Sequence, residues 1–253
     1  MKIAIIGAGA MGGAFADGLL LCGGTDVPGI GSAADIVVAN PTEGKLARFK
    51  EKGARVSTSN IEAAREADLV VLAVKPWLVE QVRREIEPAV AGRRVILVSF
   101  AAGVSLPGVI TVIPNIAIAL RQSMTFIASA DVSEADVRVV QTLFDRLGQT
   151  RVVGEKQLRA GTLLASCGIA YAMRYIRAAS EGGVEIGFRA DDAKDIVLQT
   201  VKGAVALLQA TGEHPEQAID RVTTPGGITI RGLNAMEQAG FTKAVVEGLK
   251  IGI

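Results

Sequence analysis

The sequence predicts an α/β chain in two parts, a doubly wound sheet followed by an all-α dimerisation domain. Three observations carry that prediction. A short apolar strand, Ile3–Ile6, runs straight into Gly7-Ala8-Gly9-Ala10-Met11-Gly12 and then into a helical pattern. Apolar strand-like runs alternate with helical periodicity as far as Gly154. Beyond Gly154 the strand-like runs vanish and helical periodicity takes over.

The elements follow in order. Ile3–Ile6 is the first strand, and residues 11–21 the first helix. A glycine-rich insertion from Gly23 to Ser32 lengthens the next loop. Ile36–Ala39 is the second strand, residues 43–52 a helix ending at Gly53, and Val56 closes a short strand. Asn60 is placed to cap a helix over 61–67. Residues 69–74 form a continuous apolar strand, as a parallel sheet buried on both faces requires. A helix over 78–90 leads to strands at 95–99, 109–113 and 125–128. A helix over 134–147 and a strand at 151–153 complete the sheet, with right-handed crossovers expected. Helices are then predicted over 158–164, 169–182, 190–209, 215–222, 227–238 and 242–249. The expected domains are therefore 1–154 and 155–253. Ala193, Ile196, Val197, Val201, Ala204, Val205 and Leu208 make an apolar face wider than a monomeric bundle needs. A partner chain covering it predicts a homodimer; a deep intrachain core is the alternative.

Composition narrows the function. The 253 residues are enough for an ample core without disulfide staples. Lys+Arg 27 against Asp+Glu 26 leaves a net charge of +1, with 4% aromatics, which argues against nucleic acid as a partner. Cys22 and Cys167 lie far apart and are expected to stay thiols in the cytoplasm. No run reaches the roughly 18 apolar residues of a membrane span. Ala14-Phe15-Ala16 imitates a signal cleavage site, but the glycines before it spoil the apolar core such a signal needs.

The opening motif is a place for a dinucleotide pyrophosphate in a Rossmann-like domain. Gly7 permits the tight turn out of the strand, Gly9 lets backbone approach phosphate, and Gly12 lets the helix pack close to the strand. The unpaired N–H groups of the helix start face the anion. The second-strand tip reads Val38-Ala39-Asn40-Pro41-Thr42, with no carboxylate to hold a ribose diol. Asn40 and Thr42 would not repel a 2′-phosphate, and Lys45 or Arg48 can neutralise it. NADP(H) is therefore the preferred cofactor, with NAD(H) possible. Asn40-Pro41 also reads as a simple turn start, and both readings can hold together.

Further motifs are more specific than the glycine fingerprint. They are Ala73-Val74-Lys75-Pro76, Ala101-Ala102-Gly103-Val104, Pro114-Asn115, and Val222-Thr223-Thr224-Pro225-Gly226-Gly227-Ile228-Thr229. Their order and spacing resemble the 1-pyrroline-5-carboxylate reductase family through nearly the whole chain. That resemblance implies a helical domain interlocked with its twin, dimers that assemble into a decamer, and NAD(P)H-dependent reduction of a cyclic imine to L-proline. The fingerprint residues Gly7, Ala8, Gly9, Ala10, Met11 and Gly12, with Asn40 at the second-strand tip, are the expected cofactor contacts, and the resemblance implies that Asn60 contacts the adenosine side. Ala73, Val74, Lys75 and Pro76 would lie along the nicotinamide ribose, and Ala101, Ala102 and Gly103 would flank the nicotinamide. Gly226, Gly227, Ile228 and Thr229 would hold the substrate carboxylate and imine, with Thr229 as the catalytic hydroxyl. The residues by themselves equally allow Thr224 to be an N-cap with Pro225 at N1.

The chemistry needs little acid. A cyclic imine is partly protonated near neutrality, so hydride transfer and positioning suffice. The single histidine, His214, precedes a proline and reads as structural. Tyr171 can reach a proton path, but an aromatic on an apolar helix is usually core. No Cys/His cluster has metal spacing, and no Gly-x-Ser-x-Gly elbow appears.

The chain also departs from the family pattern. Ser166-Cys167-Gly168-Ile169-Ala170-Tyr171 stands where Gly-Ser-Gly-Pro-Ala-Tyr is usual, and without its proline that helix is expected to be straighter. Ile116-Ala117 replaces Thr-Pro, Ser123 replaces a glycine, and Pro41 replaces an arginine. The altered Cys167 and Ile169 wall keeps open a reductase of another cyclic imine; a nucleotide-binding protein without catalysis is the remaining alternative, and the retained Lys75 and Thr229 count against it.

Overall fold

A computed structural model describes residues 1–21, 26–27 and 29–252. Cys22 and part of the Gly23 to Ser32 insertion lie outside the described residues. The chain divides into two compact units, 1–167 and 168–253.

The first unit is built on eight strands: β1 (Ile3–Ile6), β2 (Ile36–Ala39), β3 (Arg55–Ser57), β4 (Leu69–Leu72), β5 (Ile96–Ser99), β6 (Val109–Ile113), β7 (Ser123–Ser129) and β8 (Gly148–Val152). Their order is β3-β2-β1-β4-β5-β6-β7-β8. The first six run parallel, β7 is antiparallel to β6, and β8 is parallel to β7. The reversal has a simple cause. Only a short turn of 3-10 helix, Ile116–Leu120, separates β6 from β7. A parallel crossover needs about a dozen residues or more, so β7 must return beside β6 the other way.

The helices of this unit are α1 (Ala10–Leu20), α2 (Ala47–Glu51), α3 (Asn60–Ala64), α4 (Val79–Val90), α5 (Glu134–Asp145) and α6 (Glu155–Gly161). Alternate residues of β1 serve opposite faces. Ile3 and Ile5 belong to a core with Phe15 of α1 and Phe144 of α5. Ala4 and Ile6 belong to a second core with Ala64 of α3 and Val82 and Ile86 of α4. Both faces are thus covered, which is why β1 and β4 are uninterrupted apolar runs. Phe15 stacks on Phe144 at 5.1 Å, and Phe100 meets both edge-on at 5.3 and 5.9 Å. Losing a ring of such a trio costs about 3–5 kcal/mol.

Two local expectations change. The cap of α3 is Ser59, one residue earlier than Asn60; its Oγ accepts the Glu62 N–H at 3.3 Å. The last strand starts at Gly148 rather than 151. Gly148 has φ +142°, and a Cβ there would sit 2.0 Å from the Ser123 carbonyl, so only glycine lets β8 begin against β7.

Residues Thr162–Cys167 follow α6 as a π-helix. The segment is irregular although it has no proline, and regular α-helix resumes at Gly168. Wide π-turns leave backbone carbonyls in need of donors. The Thr162 hydroxyl donates to the Leu158 carbonyl at 2.8 Å, and the Asn115 Nδ2 donates to the Ala165 carbonyl at 3.4 Å.

The second unit consists of α7 (Gly168–Glu185), α8 (Ala190–Thr211), α9 (Pro215–Val222), α10 (Ile228–Gln238) and α11 (Phe241–Lys250). The α7 and α8 backbones come close where a Cβ on Gly183 would lie 2.9 Å from that of Ala193. Ala193 is 3% exposed, and it is the one buried residue of α7–α11 among those described. Ile196 and Val205 from the same predicted stripe are 48% and 50% exposed. The deep intrachain core therefore does not form.

Candidate active site

The glycine turn follows directly from β1. The Gly7 N–H donates to the Ala39 carbonyl and the Ala73 N–H to the Ile6 carbonyl, each at 2.8 Å. Gly7 has φ +109°, and a Cβ there would meet the Ala73 carbonyl at 2.5 Å. A Cβ on Gly12 would lie 1.9 Å from the Gly7 carbonyl, so α1 can approach its strand only without a side chain. Gly9 is different. It is exposed, and a Cβ there would meet nothing within 4 Å. No protein atom requires glycine there, which fits a turn whose backbone must admit a phosphate.

Gly9 caps α1 without a side-chain hydrogen bond, and the first turn holds no acidic residue. The helical ladder starts with the Gly13 N–H on the Gly9 carbonyl at 2.8 Å. The N–H groups of Ala10, Met11 and Gly12 precede it and have no place in the ladder. Ala8 contributes differently, because its N–H donates to Asn40 Oδ1 at 3.2 Å. A helix start with free amides and no nearby acid fits a pyrophosphate.

The remaining residues of the predicted cofactor set stand on the same carboxyl edge of the sheet. Asn40 is at the tip of β2 and Ala73 and Val74 at the tip of β4. Lys75 caps the 3-10 turn Pro76–Leu78 and is exposed. Ala101 follows β5, buried, with its N–H on Ser99 Oγ at 3.2 Å; Ala102 and Gly103 are exposed. Carboxyl ends of strands beside the order reversal at β1 and β4 are where open α/β sheets bind ligands. Asn60 lies on α3, with its Nδ2 donating to Glu85 Oε2 on α4 at 3.0 Å.

Of the cations near the β2 tip, Arg48 is engaged. It pairs with Asp17 of α1 at 3.1 Å, and Lys52 pairs with the same carboxylate at 2.8 Å. Lys45 is exposed, beside Gly44 and Thr42.

Gly226, Gly227, Ile228 and Thr229 belong to the helical unit. Thr224 to Gly227 form a tight turn, with the Gly227 N–H on the Thr224 carbonyl at 2.9 Å and φ +69° at Gly226. Proline at the second position and glycine with positive φ at the third make this a type II turn. The N-cap of α10 is therefore Gly227, not Thr224. A Cβ on Gly227 would press to 2.5 Å from Thr224 Oγ1. Thr229 is exposed in the first turn of α10, and its hydroxyl has no partner among the described residues. His214 caps α9, its Nδ1 accepting the Glu216 N–H at 3.3 Å, which agrees with a structural reading.

Sequence reasoning assigned Asn115 no role, yet it has one. Its Oδ1 accepts the Ala117 N–H and its own N–H donates to Ser123 Oγ, both at 3.0 Å, while Nδ2 reaches the π-turn. Its signal was the Pro114-Asn115 motif. Ser123, a departure from the family glycine, supplies the acceptor. Among the described residues no His/Cys/Asp/Glu group is placed to hold a metal, and no helix is long and apolar enough to cross a membrane.

Residues 155–251 match the family model for pyrroline-5-carboxylate reductase dimerisation, and residues 2–103 match that for NADP oxidoreductase, coenzyme F420-dependent. Pyrroline-5-carboxylate reductase 2 of Dictyostelium discoideum is 33% identical over 274 residues, covering 98% of this chain and 89% of its own. The chain belongs to the pyrroline-5-carboxylate reductase family. Reductase 1 of the same organism is 35% identical over 98% of this chain, which spans 48%, about half, of that relative's length. The structure of Plasmodium falciparum pyrroline carboxylate reductase with NADP bound superposes with a TM-score of 0.87 at 26% identity, covering 100% of this chain and 95% of that one. Family membership matches the Rossmann-like sheet followed by a self-associating helical domain.

Proposed function

We propose that this chain reduces 1-pyrroline-5-carboxylate to L-proline with NADPH, accepting NADH as the lesser donor. The observation that carries this reading is identity of 33% along essentially the whole chain to a named reductase, with the glycine cradle and Thr224-Pro225-Gly226-Gly227-Ile228-Thr229 both present. When bound, the nicotinamide supplies a hydride to the imine carbon. The amides of Ala10, Met11 and Gly12 hold the pyrophosphate, and Lys45 with Thr42 faces the 2′-phosphate. Lys75, Pro76, Ala101, Ala102 and Gly103 border the nicotinamide end. The amides of Ile228 and Thr229 take the substrate carboxylate at the positive end of α10, beside the Gly226-Gly227 turn whose Gly227 N–H is held by the Thr224 carbonyl. The Thr229 hydroxyl hydrogen-bonds the imine nitrogen, orienting the C=N bond while that nitrogen carries its proton. No strong acid is required of the protein.

Purified protein, NADPH and the cyclic imine provide the test. NADPH oxidation matched mole for mole by proline is expected. NADPH binding without oxidation would reject this substrate. A second reading, reduction of a different cyclic imine, is favoured by Cys167 and Ile169 standing where the family carries serine and proline. A panel of cyclic imines that is turned over faster than the five-membered carboxylate would select it. Binding of NADPH with no imine reduced at all would select the non-catalytic reading.

We also place the functional boundary at 154/155, where the dimerisation match begins. Assembly of dimers into a decamer in the cytoplasm completes the proposal. Sedimentation velocity at several concentrations tests the assembly, and fractionation tests the location.

A further inference from the structure

We propose that Asn40 is a positioning residue that clamps the pyrophosphate turn to the tip of β2 and acts on the nucleotide only through that turn. The inference rests on the nucleotide-binding reading and changes what Asn40 does in it. The sequence at the second-strand tip makes Asn40 a cofactor contact; the hydrogen bonds make it a brace.

Asn40 is 8% exposed. Its Oδ1 accepts the Ala8 N–H at 3.2 Å, inside the Gly7-Ala8-Gly9 turn. Its Nδ2 donates to the Thr42 carbonyl at 3.2 Å, and its own N–H donates to the Ser57 carbonyl at 3.1 Å. Both ends of the side-chain amide are thus used within the protein. The orientation is forced: a flipped amide would set its NH2 against an N–H and its oxygen against a carbonyl. One side chain therefore ties the glycine turn to the backbone just past β2.

The geometry also explains why asparagine stands here and not aspartate. A carboxylate has the same shape and accepts from Ala8, but it has no donor for Thr42 and brings negative charge beside an anion-binding turn. Alanine leaves the Ala8 N–H and the Thr42 carbonyl without their partner, and a buried unpaired group is costly.

The pyrophosphate is common to NADPH and NADH, whereas the 2′-phosphate belongs to NADPH alone. That difference separates a brace from a contact. Isothermal titration of wild type, Asn40→Ala and Asn40→Asp with each nucleotide is the experiment. The expected result is that Asn40→Ala weakens NADPH and NADH by the same factor, about tenfold. Asn40→Asp weakens both further, and in both variants the melting temperature falls by only a few degrees while KM for the imine at saturating NADPH stays near wild type. Weakening of NADPH alone would mean direct contact with the 2′-phosphate and overturn the proposal. A gain of NADH affinity in Asn40→Asp would mean direct contact with the ribose and also overturn it, as would unchanged affinities or a general collapse of melting temperature and imine KM together. Should Asn40→Ala fail to fold, the isosteric Asn40→Asp alone decides by the same comparison. Wild type that binds neither nucleotide defeats the nucleotide-binding reading itself, an outcome distinct from all of these.

Discussion

The Tyr171 hydroxyl donates to the Gly248 carbonyl at 3.1 Å, joining α7 to the far end of α11. One turn along α7, the Tyr175 ring meets Phe241 at 6.4 Å with an interplanar angle of 69°. The two tyrosines hold opposite ends of α11 against α7. Tyr171 is a strut between helices, which gives its phenol a use other than proton transfer.

Tyr171→Phe keeps the ring and removes that hydrogen bond. It should lower stability by about 1 kcal/mol while leaving turnover and its pH profile unchanged. Thermal melts and steady-state kinetics measure both. A tenfold loss of turnover at unchanged melting temperature would put the phenol in a proton path instead.

The glycines of the opening turn should part company on mutation. Gly9→Ala adds a methyl that meets nothing in the protein, at a φ of −75° that alanine accepts. It should fold normally and lose nucleotide affinity tenfold or more (roughly 1.4 kcal/mol or more), because the methyl stands where phosphate must come. Gly12→Ala drives a methyl to 1.9 Å from the Gly7 carbonyl and should lose about 3 kcal/mol of stability. Calorimetric titration beside a melting curve distinguishes the two; equal loss of stability would refute the difference.

Thr229→Ala should cut kcat/KM for the imine about tenfold and leave NADPH affinity untouched, since a hydrogen bond to a charged group is worth roughly 1.5–3 kcal/mol. Thr229→Ser should restore most of the loss. Turnover equal to wild type in the alanine variant would remove the hydroxyl from the reaction.

Acid should expose one helix cap selectively. Ser133 caps α5, and its hydroxyl donates to Asp136 Oδ2 at 2.7 Å while Arg94 pairs with the same carboxylate at 2.8 Å. The Ser133 hydroxyl first, and Arg94 second, hold the Asp136 carboxyl below its ordinary 3.8. A lowered folded value means stabilisation that is complete above the unfolded one and disappears as pH falls through the folded one. Asp136→Asn should therefore melt earlier than wild type at neutral pH, and the gap should close as the pH falls from the ordinary 3.8 through the lowered folded-state value. A gap that persists in strong acid would show that charge is not its source.

Much of this was legible from residue types alone. Uninterrupted apolar residues at β1 and β4 announce strands covered on both faces, and Gly7, Gly9 and Gly12 announce the turn after β1. What escaped depended on partners distant in sequence. Gly148-Gln149-Thr150 is too polar to advertise a strand, yet β7 supplies the register that extends β8. The start of α10 was ambiguous because Thr224 and Gly227 both suit an N-cap, and the Pro225-Gly226 turn decides between them. The π-turn at Thr162–Cys167 had no local signal, because the Asn115 donor that satisfies it comes from the β6–β7 connection.

Among the described residues, helices α7–α11 bury a single alanine, while Tyr175, Ile186, Phe188 and Val205 stay open to solvent. The last third of each chain, residues 168–253, consequently has no interior of its own, and the second copy must supply one. Concentration then becomes a structural variable, since dilution favours the separated chain by mass action. How fast the protein is made relative to how fast it is cleared would then govern how much of it is ever paired.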